Sequence, residues 1–183
     1  MHIEAGMMAP EFEVLDSFGN RVSLADYRGK KVLLSFFRNA ACAMCNLRVH
    51  QLIGHYEEWK ANGLELVTVF VSPQENILQY VGKQDAPFPI IADPEAKLYD
   101  LYGLETSEEK VNTTMGRSDV QEKIGEAAAA GFVLTKEEGS NFFRMPAEFL
   151  IGPDSRVELA HYNQFVYDHL PLEVIEEGIR SKV

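Results

Sequence analysis

Cysteine is nearly absent from this chain. Its 183 residues include only two, Cys42 and Cys45. So few exclude a disulfide-stapled secreted scaffold, which needs several bridges to support a small core. Positive charge is also in short supply. Seventeen Lys and Arg face 28 Asp and Glu, for a net charge of −11. That balance argues against nonspecific binding to nucleic acid or anionic membranes, since both reward a basic surface. Long apolar runs are missing. None approaches the ~20 residues of a membrane-spanning helix, and the longest, such as Leu66–Val71, have the length of a buried strand. The opening MHIEAGMMAPEFEV lacks the basic stretch and apolar core of a secretory signal. A cytoplasmic protein without a membrane partner is therefore expected, and no internal repeat or low-complexity tract is present.

What is there is an ordinary globular composition, 46% hydrophobic and 25% charged. The length suits one domain over 1–183 with a sizeable core. The pattern begins with short strands at Glu11–Val14 and Arg21–Ser23 around the Asp16–Asn20 turn, an N-terminal hairpin. Lys31–Phe37 is a continuous apolar run that reads as a central strand. From about Cys45 to Asn62 the spacing of Val49, Leu52, Ile53, Tyr56 and Trp59 is helical, ended by Gly63. Leu64–Val71 is a second buried strand. Ser72-Pro73-Gln74-Glu75 reads as a capping box opening a helix to about Lys83. A short strand at Phe88–Ala92 and a helix from Asp93 to about Gly103 follow. Residues 105–143 are polar, with one helix expected over Ser118–Ala130, and look like an insertion. Ala147–Ile151 and Arg156–His161 make a late hairpin, and Pro171–Lys182 a final helix. Alternating βα units give parallel strands, and the late hairpin adds antiparallel ones. The expected fold is α/β, a three-layer sandwich with a mixed central sheet and helices on both faces.

Both cysteines lie where the first long strand meets its helix. Unpaired backbone N–H groups and the macrodipole favour an anion at a helix start. A cysteine there has a lowered pKa and more of the reactive thiolate. A second cysteine three residues on can resolve a mixed disulfide or a sulfenic acid. Arg38 and Arg48 flank the pair; each can stabilise a thiolate, and each alone reads better as a structural or solvated arginine. Two further readings stand beside a redox pair. A structural zinc needs four ligands, and there is no second cysteine pair, while His50 and His55 diverge on a helix and His161 and His169 are remote. Two inert core cysteines are the other reading. No metal site and no cofactor are expected.

Gly6-Met7-Met8-Ala9-Pro10-Glu11-Phe12, the Ser23–Phe37 lead-in, Asp93–Gly103 and Met145–Ile151 occur in an order that resembles the peroxiredoxins of the alkyl hydroperoxide reductase/thiol-specific antioxidant family, within the thioredoxin-fold superfamily. The resemblance covers nearly the whole chain except 105–143. It implies a thioredoxin-like fold, thiol-dependent antioxidant chemistry at Cys42 and Cys45, and a peroxide or disulfide substrate. It also implies a thiol electron donor such as a thioredoxin-type protein, and homodimer formation. Met145–Ile151 is similar to the thioredoxin segment with a cis-proline, so the resemblance puts Pro146 at a substrate groove. The sequence departs from the pattern in the active-site motif. Against P-x-x-x-T-x-x-C, Arg38 replaces the proline, Cys42 the threonine, and Cys45 falls on the peroxidatic cysteine. In the thioredoxin pattern Cys42 attacks and Cys45 resolves; in the peroxidase pattern the roles reverse. The expected function is a thiol oxidoreductase cycling Cys42 and Cys45 between dithiol and disulfide, with Arg38 and Pro146 binding substrate. The alternative is a redox-inactive binding or regulatory module of the same fold.

Overall fold

The computed structural model describes residues 1–181. Two short strands, β1 (Glu13–Leu15) and β2 (Arg21–Ser23), pair antiparallel as a separate ribbon. The main sheet is built from β3 (Lys31–Phe36), β4 (Leu64–Phe70), β5 (Ile90–Ala92), β6 (Ala147–Ile151) and β7 (Val157–Tyr162), in the spatial order β5-β4-β3-β6-β7. β3, β4 and β5 are parallel; β6 and β7 run antiparallel beside β3. The helices are α1 (Ala43–Ala61), α2 (Gln74–Gln79), α3 (Lys97–Leu101), α4 (Glu108–Met115), α5 (Val120–Ala129) and α6 (Leu172–Arg180). None is long and apolar enough to cross a membrane.

The sheet is buried on both faces, and its side chains sort by the two-residue period of a strand. Leu33, Leu66 and Leu150 join Val49, Leu52, Tyr56 and Trp59 of α1 and Ile175 of α6 in one core. Val32, Leu34, Phe36 and Phe149 join Leu98 and Tyr99 of α3, Tyr102 and the N-terminal Ile3 and Phe12 in the other. This explains why β3 is apolar at nearly every position. The expected three-layer α/β architecture, the N-terminal hairpin and the late hairpin are all present.

Residues 105–143 leave the core and return at one place. Ser107 N–H donates to Phe143 O at 2.8 Å and Met145 N–H to Glu105 O at 3.0 Å, with a bridge between Thr106 and Arg144. Two helices stand here, where the sequence pattern predicts one. α4 was hidden because only Val111 and Thr114 bury among its polar residues; the readable signal is Ser107, whose hydroxyl caps Lys110 N–H. α5 packs Ala127 against Ala43 and Leu47 of α1. The excursion thus folds over the start of α1.

Two local expectations fail. Ser72 does not cap α2; Pro73 is the N-cap and makes no side-chain cap bond. The Ser72 hydroxyl is drawn to other partners at the cysteine loop. Pro146 is not in a cis peptide, since the described residues contain none.

Candidate active site

The loop from Arg38 to Ala41 carries the chain from β3 into α1. Its geometry is fixed by side chains from elsewhere. Ala40 N–H donates to Ser72 Oγ at 2.9 Å, and the Ser72 hydroxyl donates to Glu137 Oε2 at 2.9 Å. Asn46 Nδ2 donates to the carbonyls of Ala40 and Cys42 at 2.8 and 2.9 Å, and Gln84 Nε2 holds Asn46 in turn. The Ala40 peptide is therefore gripped at both its N–H and its C=O. Glu137, from the excursion, ends one of these chains.

Cys42 is the N-cap of α1. Its Sγ accepts the Cys45 backbone N–H at 3.3 Å, the role a serine oxygen plays at an ordinary cap. Arg38 Nη1 lies 3.7 Å from the same sulfur. Arg38 Nη2 donates to Phe142 O, and the guanidinium sits 4.6 Å from the Phe142 ring centroid. The interaction with the Cys45 thiol lowers the Cys42 pKa most, and the Arg38 charge and the helix N–H groups of Cys45 and Met44 add to it. Against burial, they bring it down to about 6. Cys45 is moved the other way. Burial pushes its thiol well above the ordinary value, and the neighbouring Cys42 sulfur pushes it further. Cys42 is 7% exposed and Cys45 0%. The thiolate is thus favoured at Cys42 and the proton at the fully buried Cys45.

A cavity of about 580 Å³ opens onto Cys42. Arg38, Asn39 and Cys42 supply its polar side, and Val111, Met115, Leu134 and Phe142 from the excursion supply much of the rest. Pro146 does not line it. That residue is buried, and its carbonyl accepts the Asn163 N–H at 3.1 Å.

Arg48, read as a second candidate for the thiolate, points elsewhere. Its Nε and Nη2 lie 3.1 and 3.0 Å from Glu148 Oε1, and Nη2 also donates to Leu170 O. Glu148 accepts further hydrogen bonds from Leu170 N–H and the Ser35 hydroxyl. Burial is the largest single influence and works to raise the Glu148 pKa, yet the Arg48 charge and the hydrogen bonds from Leu170 N–H and Arg48 together hold the carboxyl low. His169 stands 3.9 Å from Glu148 with neither ring nitrogen hydrogen-bonded, and burial depresses its pKa to about 3. Among the described residues, no three His, Cys, Asp or Glu side chains converge as a metal site would require.

The sequence pattern missed Asn39, Asn46, Ser72, Glu137 and Glu148. Glu148 alone left a readable signal, a carboxylate inside the apolar run Ala147–Ile151, since a charge in a core strand demands a buried partner. The others sit in loops or on a helix whose polar residues look like solvated surface.

A sequence model of the AhpC/TSA family matches residues 5–160. The chain is 24% identical over 102 residues to the Escherichia coli peroxiredoxin Bcp, covering 56% of this chain and 65% of that one. It is 29% identical over 101 residues to the thiol-disulfide oxidoreductase ResA of Bacillus subtilis, covering 55% and 56%. The match thus spans less than two thirds of these relatives' own length. Among solved structures, the peroxidoxin BcpB of Mycobacterium tuberculosis superposes with a TM-score of 0.67 at 14% identity, covering 97% of this chain and 95% of that one. This last likeness speaks for the thioredoxin-like fold alone.

Proposed function

Because the chain belongs to the AhpC/TSA family, of which a model matches residues 5–160, we propose that it is a thiol-dependent oxidoreductase in which Cys42 attacks and Cys45 resolves. The observation that carries this reading is the Cys42 sulfur at the N-cap of α1, with Cys45 N–H and Arg38 on it and a cavity in front. The thiolate attacks one sulfur of a substrate disulfide. That sulfur bonds to Cys42, and the other leaves as a thiolate and is protonated from solvent. Once Cys42 is in the mixed disulfide its negative charge is gone, so one of the influences raising the Cys45 pKa is removed while the Arg38 charge remains. Cys45 then loses its proton and attacks Cys42. The second substrate thiolate leaves, and two electrons have passed from the dithiol to the substrate.

A peroxide can oxidise the same pair, and the peroxiredoxin relative favours this second substrate class. The Cys42 thiolate takes one oxygen as a sulfenic acid, and the other leaves as water or an alcohol. Cys45 then condenses with the sulfenic acid, forming the disulfide and releasing water. We assign the return to the dithiol to a thioredoxin-type protein, the reaction to a reducing, cytoplasmic compartment, and residues 105–143 to an insertion in a single domain. Two buried free thiols suit such a compartment. A homodimer is the assembly the family likeness suggests, and sedimentation tests it. Arg38 is read as a positioning group for the thiolate; Pro146, trans and away from the cavity, has less support as a substrate contact.

Serine substitutions test the assignment. Cys42→Ser abolishes reduction of both disulfides and peroxides. Cys45→Ser still attacks, and mass spectrometry finds it trapped as a mixed disulfide through Cys42. A trapped adduct on Cys45 in Cys42→Ser protein would reverse the roles.

A further inference from the structure

The cavity over Cys42 is more than an entrance. Two of its lining residues keep a buried polar atom without a partner: Arg38 Nε, a donor, and Asn39 Oδ1, an acceptor. Arg38 is 7% exposed and Asn39 3%. A buried donor or acceptor left unpaired costs about 1–3 kcal/mol. Native structures leave few such atoms, and each asks for a reason. Thr114, Thr135 and the terminal nitrogens of Arg38 on this wall are engaged, and Lys136 adds a charge to it. Thr114 Oγ1 donates to Lys110 O and accepts the Val166 N–H, and the Arg38 terminal nitrogens serve Phe142 O and the Cys42 sulfur. The free pair thus sits on adjacent residues beside the reactive sulfur.

Apart from Thr114, Thr135 and Lys136 the rest of the lining is apolar, and some of that apolar surface reaches the outside. Met115 is 54% exposed, Leu134 60% and Phe142 44%. These three come from the excursion, which is pinched shut at Ser107 and Phe143 and strapped to the cysteine loop through Glu137 and Ser72. Its apolar side chains are therefore presented at a fixed place next to Cys42.

We propose that this cavity recognises a polypeptide disulfide in which a large apolar residue flanks the attacked cysteine. The substrate backbone would supply a carbonyl to Arg38 Nε and an N–H to Asn39 Oδ1, the one donor and one acceptor that every non-proline residue carries. Both side-chain atoms are occluded in the free protein and would turn into the cavity on binding. The flanking side chain enters between Val111, Met115, Leu134 and Phe142. This rests on the thiol-exchange reading above and adds the substrate's identity to it. The backbone pair holds the chain in register while the apolar pocket chooses among sequences. A small hydrophilic disulfide or hydrogen peroxide has no apolar group to bury and gains nothing from the pocket. Fully burying one Leu- or Phe-sized side chain is worth a factor on the order of ten to a hundred.

Binding and turnover are measured separately on the full chain. Binding uses labelled peptides with S-methylcysteine, which cannot exchange, flanked by Phe or by Ser, and is followed by fluorescence anisotropy. The Phe peptide binds at least tenfold tighter. Leu134→Asp, on the exposed rim, removes that preference, and Asn39→Ala weakens both peptides several-fold while leaving their ratio. Iodoacetamide labelling of Cys42 in each variant reports whether the loop has kept its shape. Equal affinity of the two peptides overturns the proposal. So does a Phe preference untouched by Leu134→Asp in protein with normal labelling, because the side chain then binds elsewhere. Turnover uses the matching peptide disulfides, with cumene hydroperoxide and hydrogen peroxide alongside. A binding preference without any turnover supports the pocket and defeats the thiol-exchange reading instead. Cumene hydroperoxide consumed faster than the Phe disulfide, and slowed by Leu134→Asp, would make the pocket one for organic hydroperoxides and overturn the polypeptide assignment.

Discussion

The loop before α1 and the second turn of that helix each bury an arginine, and the two are treated in opposite ways. Arg48 is 4% exposed and paired with a carboxylate: Glu148 takes its Nε and Nη2, and Leu170 O takes Nη2 as well. Arg38 is 7% exposed, keeps Nε unpaired, and lies against a sulfur that can gain or lose charge. A charge paired with an opposite charge inside the protein fixes helix against sheet, since α1 and β6 cannot separate without breaking the buried pair. A charge left short of partners, in a cavity, has capacity to spare for a reacting group. Burial alone would rank the two arginines together; the difference lies in what each one faces.

The comparison is broken most severely at the paired site. Arg48→Met leaves Glu148 as an uncompensated buried carboxylate and should cost about 3–5 kcal/mol of stability, read from urea unfolding. The double variant Arg48→Met/Glu148→Leu should recover much of that. If Arg48→Met unfolds like the parent, the pair does not hold helix to sheet. The same site predicts acid lability. Glu148 is held below its ordinary pKa, so the stability it lends is present near neutrality and is lost as pH falls through its folded value. His169, neutral in the fold, has a pKa near 3 against an ordinary 6.5, so below about 6.5 the unfolded chain gains a proton that the folded one refuses. Stability should fall steadily from pH 6.5 downward, and His169→Phe should flatten the upper part of that slope.

A smaller effect is expected at the strap. Ser72→Ala removes the partner of Glu137 Oε2 and of Ala40 N–H and should cost about 1–3 kcal/mol. Hydrogen exchange should quicken at Ala40 and in residues 131–143 together. Exchange confined to one of the two segments would mean that the chain from loop to excursion is not a unit.

The smallest change in stability, about 1 kcal/mol or less, is expected for Arg38→Met. Its effect is on reactivity. The Cys42 pKa of about 6 lies below its ordinary 9.0, so alkylation should rise through pH 6 and level off, and Cys42 should label before Cys45. Losing the Arg38 charge should move that midpoint up and slow labelling at pH 6 on the order of fivefold, with little change at pH 8. An unmoved midpoint would leave the thiolate to the Cys45 contact and the helix start alone. The sign of the linked stability follows. With a lowered folded pKa, Cys42 makes the dithiol protein more stable as pH rises from 6 towards 9, and Cys42→Ser should abolish that rise.

Much of the scaffold was legible because it is written in short-range periodicity. The apolar runs of β3 and β4 and the three- and four-residue spacing along α1 are signals of a strand buried on both faces and of a packed helix. The excursion was legible only as polar sequence. α4 buries too few residues to show a stripe, and its function as a cavity wall depends on where the chain returns, at Phe143 and Met145. Ser72 misled for a related reason. A serine before Pro73 is a good local cap, but Ala40 and Glu137 compete for its hydroxyl from 32 and 65 residues away.

The sequence by itself determined that two cysteines sit at the junction of a buried strand and a helix, three positions apart. Local spacing suffices for that, because the helix start and its unpaired N–H groups are properties of the segment. Which cysteine becomes the anion was decided only in three dimensions. Both occupy the first turn of one helix, so the macrodipole favours both. Cys42 is distinguished by the cavity in front of it and by Arg38, whose other end is held by a carbonyl 104 residues away, and Cys45 by complete burial beneath it.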